Sequence, residues 1–195
     1  MDKLPQFNEQ YSETLVQYAE IDNSIISQYK DILPEELIAL WEKYGFFQID
    51  NGLLWFVNPN DYKEVIEEWK NVNEMLTFDD SEYSVIARTA FGCLLIWVGD
   101  GDNSYLARLN IITNEWSAPA TNMDFFFNVL LLDWTYKEDD LDEILFKECY
   151  ENLGLLAPDE CYGFVPLPAL GGAKDVKFAE KVKLNEYLSI CAQVW

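Results

Sequence analysis

Two hydrophobic rhythms alternate along the chain, and the places where one gives way to the other mark out its elements. In the first third, apolar positions recur at helical spacing. "NEQYSETLVQYAE" (residues 8–20) puts Tyr11, Leu15 and Tyr18 on one stripe, which predicts a helix. "LPEELIALWEKYG" is clearer. Pro34 suits a first turn, Leu37, Leu40, Trp41 and Tyr44 follow the i, i+3, i+4, i+7 pattern, and Gly45 stops the helix. In "FFQIDNGLLWFV" two apolar runs flank Asn51-Gly52. Both residues tolerate positive φ, so the pair predicts a hairpin closed by a two-residue type I′ turn. "NPNDYKEVIEEWK" opens a third helix, with Asn58 as cap, Pro59 in the first turn, and Tyr62, Val65, Ile66 and Trp69 facing inward.

From Tyr83 to Trp116 the rhythm changes. "YSVIARTA", "GCLLIWVG", "SYLARLNII" and "NEWSA" are rich in branched and aromatic residues and are separated by turn-formers, so they read as strands. Their connections are too short for helical crossovers, which makes the neighbours antiparallel. Helical spacing then returns. "NMDFFFNVLLLDW" is apolar nearly all round and predicts a buried helix, whereas "DDLDEILFKECYENLG" is amphipathic through Leu141, Ile144, Leu145 and Cys149 and ends at Gly154. A last helix from Asn185 places Tyr187, Ile190, Cys191 and Val194 inward. The expected fold class is α+β: N-terminal helices and a hairpin, a central antiparallel sheet, and C-terminal helices packed on it. With 195 residues and no repeat or flexible linker, residues 1–195 are expected to form a single compact unit.

Composition adds two things. Half the residues are apolar, with seven Trp, eleven Tyr and twelve Phe, enough to offset chain entropy by burial alone. The four cysteines, Cys93, Cys149, Cys161 and Cys191, form no CxxC pair and read as reduced core thiols. The longest apolar run, "FFFNVLLL", stops at Asp133, far short of a membrane span. "MDKLPQFNEQ" lacks the regions of a secretory signal, so the expected location is the cytoplasm.

Charge alters the picture most. Asp and Glu number 35 against 13 Lys and Arg, giving a net charge of −22. Such a surface repels nucleic acid and anionic lipid and steers basic partners toward itself. Histidine is absent, so Ser-His-Asp and Cys-His nucleophiles and imidazole acid–base chemistry are excluded. Thirty-five carboxylates make pairs everywhere, and no spacing singles one out as a catalytic dyad.

Two stretches invite a ligand and fail on spacing. In "GDGDNSYLARLNI", Asp100 and Asp102 match the first and third places of a calcium loop, but Tyr105 replaces its glycine and Ile111 its closing glutamate. In "CYGFVPLPALGGAKDV", Ala173 precedes Lys174 and Asp175 follows it, which breaks the phosphate-loop pattern. Pro166, Pro168, Gly171 and Gly172 instead shape a connector that leads the chain into its last helix. No cofactor, metal or catalytic residue is expected.

"LPEELIALWEKYGFFQIDNGLLWFVNPNDY" resembles the N-terminal portion of the bacterial GAD-like family, through its Leu-Pro helix, its Trp-x-x-Tyr-Gly ending and its Asn-Pro-x-x-Tyr helix start. "CYGFVPLPALGG" followed by "KVKLNEYLSICAQ" is similar to the C-terminal domain of immunity proteins that guard against type VI secretion DNase effectors. The resemblance implies a GAD-like region over about residues 4–118 and an immunity-protein region over about 119–195. It also implies an intracellular protein that binds the toxin domain of a cognate effector, with no catalytic residue carried over. An orphan regulatory or ligand-binding module of the same fold is the alternative.

A nuclease presents a basic cleft to the phosphate backbone, which an acidic protein can occupy in place of DNA. Two acidic segments are the expected contact surfaces: Glu138, Asp139, Asp140, Asp142 and Glu143 in "KEDDLDE", and Asp79, Asp80 and Glu82 in "FDDSEY". The first also stands where helix-start acids favour the macrodipole.

Overall fold

The computed structural model of the chain describes residues 3–76, 83–99 and 101–195. Asp79, Asp80 and Glu82 lie outside the described residues. The fold is α+β, as the periodicity predicts. Helix α1 (Pro5–Tyr11) and strand β1 (Val16–Ala19) are followed by α2 (Asn23–Tyr29), α3 (Glu35–Tyr44), β2 (Phe46–Ile49), β3 (Leu54–Phe56) and α4 (Lys63–Lys70). Four strands come next, β4 (Tyr83–Thr89), β5 (Leu94–Val98), β6 (Tyr105–Asn110) and β7 (Glu115–Ala120). The remainder comprises α5 (Met123–Asn128), α6 (Trp134–Asp139), α7 (Glu143–Leu153), the strands β8 (Glu160–Phe164) and β9 (Ala179–Lys183), and α8 (Leu184–Gln193).

Strands β1 to β7 form one antiparallel sheet in sequence order, and β8 pairs with β9 in a separate ribbon. Strands β2 to β6 are buried almost throughout, while the edge strands β1 and β7 are largely exposed. Both faces of the central strands are therefore covered, which explains their nearly continuous apolar runs. Phe47 stacks on Phe56 at 4.5 Å, Phe56 on Phe127 at 5.5 Å, and Phe127 meets Phe7 edge-on at 5.0 Å. This aromatic column joins α1, the sheet and α5. The four cysteines are free, buried thiols.

Several local expectations are corrected. The stripe over residues 8–20 is not one helix: α1 ends at Tyr11, and Val16–Ala19 pairs with β2. Sheet pairing outweighs helical spacing here, with Tyr18 packed 5.1 Å from the Trp55 ring. The spacing also passes over α2, which is capped by Asp22 accepting from Ser24 N. The hairpin at Asn51-Gly52 exists, but four residues join the paired positions Ile49 and Leu54. Three of them, Asp50, Asn51 and Gly52, have positive φ.

"NMDFFFNVLLLDW" is likewise not one buried helix. Asn122 caps α5, the chain turns at Val129 through a 3-10 turn over Leu130–Leu132, and Asp133 caps α6 by accepting from Tyr136 N at 2.8 Å. Phe125, Val129, Leu132 and Trp134 face outward. Ile144 and Ile190, expected inward, are half exposed; Phe146 on α7 and Leu184 and Leu188 on α8 fill the core positions instead. "CYGFVPLPALGG" is more than a connector: its first residues belong to β8, and the prolines and diglycine form the loop that returns as β9.

The motifs that carry the family resemblance hold this architecture. Gly45 has a φ of 64°, and a side chain there would run into the Ala19 carbonyl of the neighbouring strand. Asn58 caps the turn into α4, and Tyr62 is buried beneath it.

Candidate partner-binding surface

The acidic segment forms the corner between α6 and α7, and most of its carboxylates already have partners. Glu138 Oε2 accepts from Ile144 N at 3.0 Å, satisfying one of the open donors at the start of α7. Asp142 takes the left-handed conformation, with φ 60° and ψ 46°, and pairs with Lys174 from the β8–β9 loop. Glu143 pairs with Lys147 one turn on, at 3.2 Å. Asp140 faces Arg108 of β6 at 3.8 Å. Burial lifts the Asp140 carboxyl above its ordinary range, against the opposing pull of Arg108. Asp139 alone of the five is well exposed. The corner thus brings the five acids together, but it aims four of them at the protein's own helix starts, lysines and arginine.

Beside this corner lies a surface that hydrophobic periodicity hid. Trp134 opens α6 with 67% of its surface exposed, while Tyr136 two positions on is buried against Phe126. On α5, Phe126 and Phe127 point into the core and Phe125 points out. Val129 and Leu132 continue the outward line through the 3-10 turn. The legible signal was a pair of cap-type residues, Asn122 and Asp133, each starting a separate helix within a run otherwise read as one.

A second feature absent from the sequence reading is Arg88 on β4. It is fully buried, stacked 4.4 Å over the Trp55 ring, and donates to Thr89 O and, at 3.0 Å, to Pro158 O. Its Nε has no hydrogen-bond partner among the described residues. Arg88 therefore clamps the segment before β8 onto the main sheet. Tyr18, Tyr62, Asp61, Pro158 and Leu184 line a cleft of about 520 Å³ nearby. Burial raises the Asp61 carboxyl above its ordinary range. Asp61 and Asp140, the two carboxyls so raised among the described residues, occupy different places: one faces this cleft, the other Arg108. Among the described residues, no group of three or more His, Cys, Asp or Glu could hold a metal ion, and no helix is long and apolar enough to cross a membrane.

Residues 4–111 match the family described as GAD-like domain, and residues 120–194 match that described as T6SS immunity protein Tdi1, C-terminal. Among curated proteins, no sequence matches the chain. The fold is similar to the crystal structure of Atu4351 from Agrobacterium tumefaciens, with a TM-score of 0.72 over 92% of this chain and 84% of that one. The two sequences are 21% identical, so this likeness is one of fold. With more than half its length inside the first match, the chain belongs to the GAD-like domain family, and it carries a C-terminal region of the Tdi1 immunity type.

Proposed function

We propose that this chain is a cytoplasmic immunity protein that binds a cognate secreted DNase toxin and neutralises it by protein–protein contact, without catalysis of its own. The observation that carries this reading is the match of residues 120–194 to an immunity-protein family. The charge supports it independently. At −22 the protein is drawn to a basic surface such as the DNA-binding cleft of a nuclease, and it repels the nucleic acid that the cleft would otherwise hold. The acidic corner at Glu138, Asp139, Asp140, Asp142 and Glu143 would contribute to that steering, as would Asp79, Asp80 and Glu82.

The test is co-expression with a candidate DNase-domain effector taken from the gene's neighbourhood, paired with co-purification of the two proteins using a catalytically inactive toxin. Growth rescue together with a stable complex is the expected result. A toxin that kills regardless and leaves no complex would overturn the proposal and favour an orphan regulatory module of the same fold.

A further inference from the structure

We infer that the ridge formed by Phe125, Val129, Leu132 and Trp134 is the surface on which the basic toxin domain docks, with Trp134 as its anchor. This rests on the immunity function proposed above and assigns that function a place on the molecule. Exposed large apolar side chains are concentrated in the C-terminal region. Among the described residues, three (Val16, Ile32 and Met75) precede residue 120 and twelve follow it. Four of the twelve fall within ten residues of one another, at 41% exposure for Phe125, 47% for Val129, 36% for Leu132 and 67% for Trp134.

The backbone holds the first three in succession, and Trp134 stands two residues beyond Leu132 at the start of α6. Val129 N donates to Phe125 O, and Leu132 N donates to Val129 O, so the three follow one another on successive turns. Phe126, Phe127 and Leu131, which alternate with them, are buried to the last atom. The inward side chains fix the outward ones. Phe127 is locked between Phe56 and Phe7, and the Asp133 cap sets Trp134 as the first residue of α6. Apolar anchors held this way lose little freedom on binding, which is the property of interface hot spots.

Charge identifies the occupant. From Ala120 to Glu143 the sequence holds seven carboxylates, Asp124, Asp133, Glu138, Asp139, Asp140, Asp142 and Glu143, and one lysine. That lysine, Lys137, is turned onto Asp50 at 2.7 Å with only 13% of its side chain exposed. Three of the seven meet cations from outside the stretch, Asp140 with Arg108, Asp142 with Lys174 and Glu143 with Lys147, while Asp124, Asp133, Glu138 and Asp139 leave the segment that carries the apolar side chains net acidic. A second copy of this chain would bring the same carboxylates against themselves, at −22 on each partner, and is disfavoured. A basic domain with an apolar recess fits both features.

The experiment measures binding of catalytically inactive toxin to wild type, Trp134→Ala, Val129→Ser and, as an exposed apolar control from the N-terminal region, Ile32→Ala. Circular dichroism establishes that each variant is folded. Trp134→Ala is expected to raise Kd by at least about 30-fold, Val129→Ser by about fivefold to tenfold, and Ile32→Ala by less than about twofold. In co-expression, Trp134→Ala should lose growth rescue while remaining folded. If wild type binds and rescues but Trp134→Ala binds equally well, the ridge is not the docking surface and the immunity function stands. If wild type neither binds nor rescues, both fall together. A wild-type dimer in solution that Trp134→Ala converts to monomer would assign the ridge to self-association and overturn the inference.

Discussion

Lys137 Nζ lies 2.7 Å from Asp50 Oδ2, and this pair fastens α6 to the turn between β2 and β3. Tyr11 completes the junction: its hydroxyl donates to Leu131 O at 2.8 Å and lies 3.2 Å from Asp50 Oδ2, and Lys137 sits 5.3 Å above its ring. Three segments distant in sequence thus share one carboxylate, on a turn whose three positive-φ residues aim Asp50 inward. Because both charges are mostly shielded from water, removing one leaves the other poorly solvated. Lys137→Met is expected to cost about 1–3 kcal/mol by denaturant titration. The Asp50→Asn, Lys137→Met double-mutant cycle should show coupling of about 1 kcal/mol. Independent, additive effects would mean that the pair is solvated.

Gly163 on β8 makes a second prediction. A Cβ there would meet Val182 Cγ2 at 2.6 Å and the Tyr187 ring at 2.7 Å, and the Tyr187 hydroxyl already accepts from Phe164 N at 2.9 Å. The missing side chain is what lets α8 lie this close to the ribbon. Gly163→Ala should destabilise the fold by about 1–3 kcal/mol through overpacking. At Gly101 a Cβ would meet nothing within 4 Å, so Gly101→Ala tests backbone strain alone and should cost about 1 kcal/mol. A loss well below about 1 kcal/mol at Gly163 would show that crowding there is relieved by movement.

Elements with one dominant determinant were legible from sequence. Helix α3 has a proline before it, an apolar stripe along it and Gly45 after it, and β4 to β7 have turn-formers between branched runs. Elements decided by a distant partner were not. Tyr18 fits a helical stripe as well as a strand, and only the pairing of its neighbours Gln17 and Ala19 with Phe47 and Phe46 decides between them. Strand β9, "AEKVK", has two apolar residues and is specified by register with β8. The candidate surface was half legible for the same reason. Acids can be counted from the sequence, but whether Asp142 is free or meets Lys174, thirty-two residues away, is set by the loop between β8 and β9.

The region matched to the GAD-like family and the region matched to the immunity family are tied through their interiors. Tyr162 N donates to Ala90 O at 2.8 Å, Phe91 stacks on Phe164 at 5.7 Å, and the Arg88 clamp reaches Pro158. We therefore expect one cooperative unfolding transition, with tryptophan fluorescence and far-ultraviolet circular dichroism superimposing. Phe91→Ala should cost about 3–5 kcal/mol. Because Phe91 belongs to the first region and Phe164 to the second, the loss should shift both probes equally. Two separated transitions would show that each region folds alone.

Alkaline pH should destabilise the protein through groups that burial keeps protonated. Cys161 and Cys191 are pushed up to about 12, Cys149 to about 11, and Tyr62 to about 12, each chiefly by loss of water around the ionised form. Burial raises Tyr11, Tyr18, Tyr136, Tyr162 and Tyr187 as well. Unfolded, the thiols ionise near 9 and the phenols near 10. Above pH 9 the unfolded chain therefore binds fewer protons than the folded one, and stability falls as pH rises toward 12; below pH 9 these groups contribute no slope. The urea midpoint should be level with respect to them at pH 7–9 and decline beyond. The share of phenolate absorbance at about 295 nm that belongs to the buried rings should appear in step with loss of circular dichroism, because Tyr62 and its buried neighbours ionise only once the core opens. Phenolates titrating near pH 10 across the whole set, with the circular dichroism still native, would mean that water reaches rings that the structure buries.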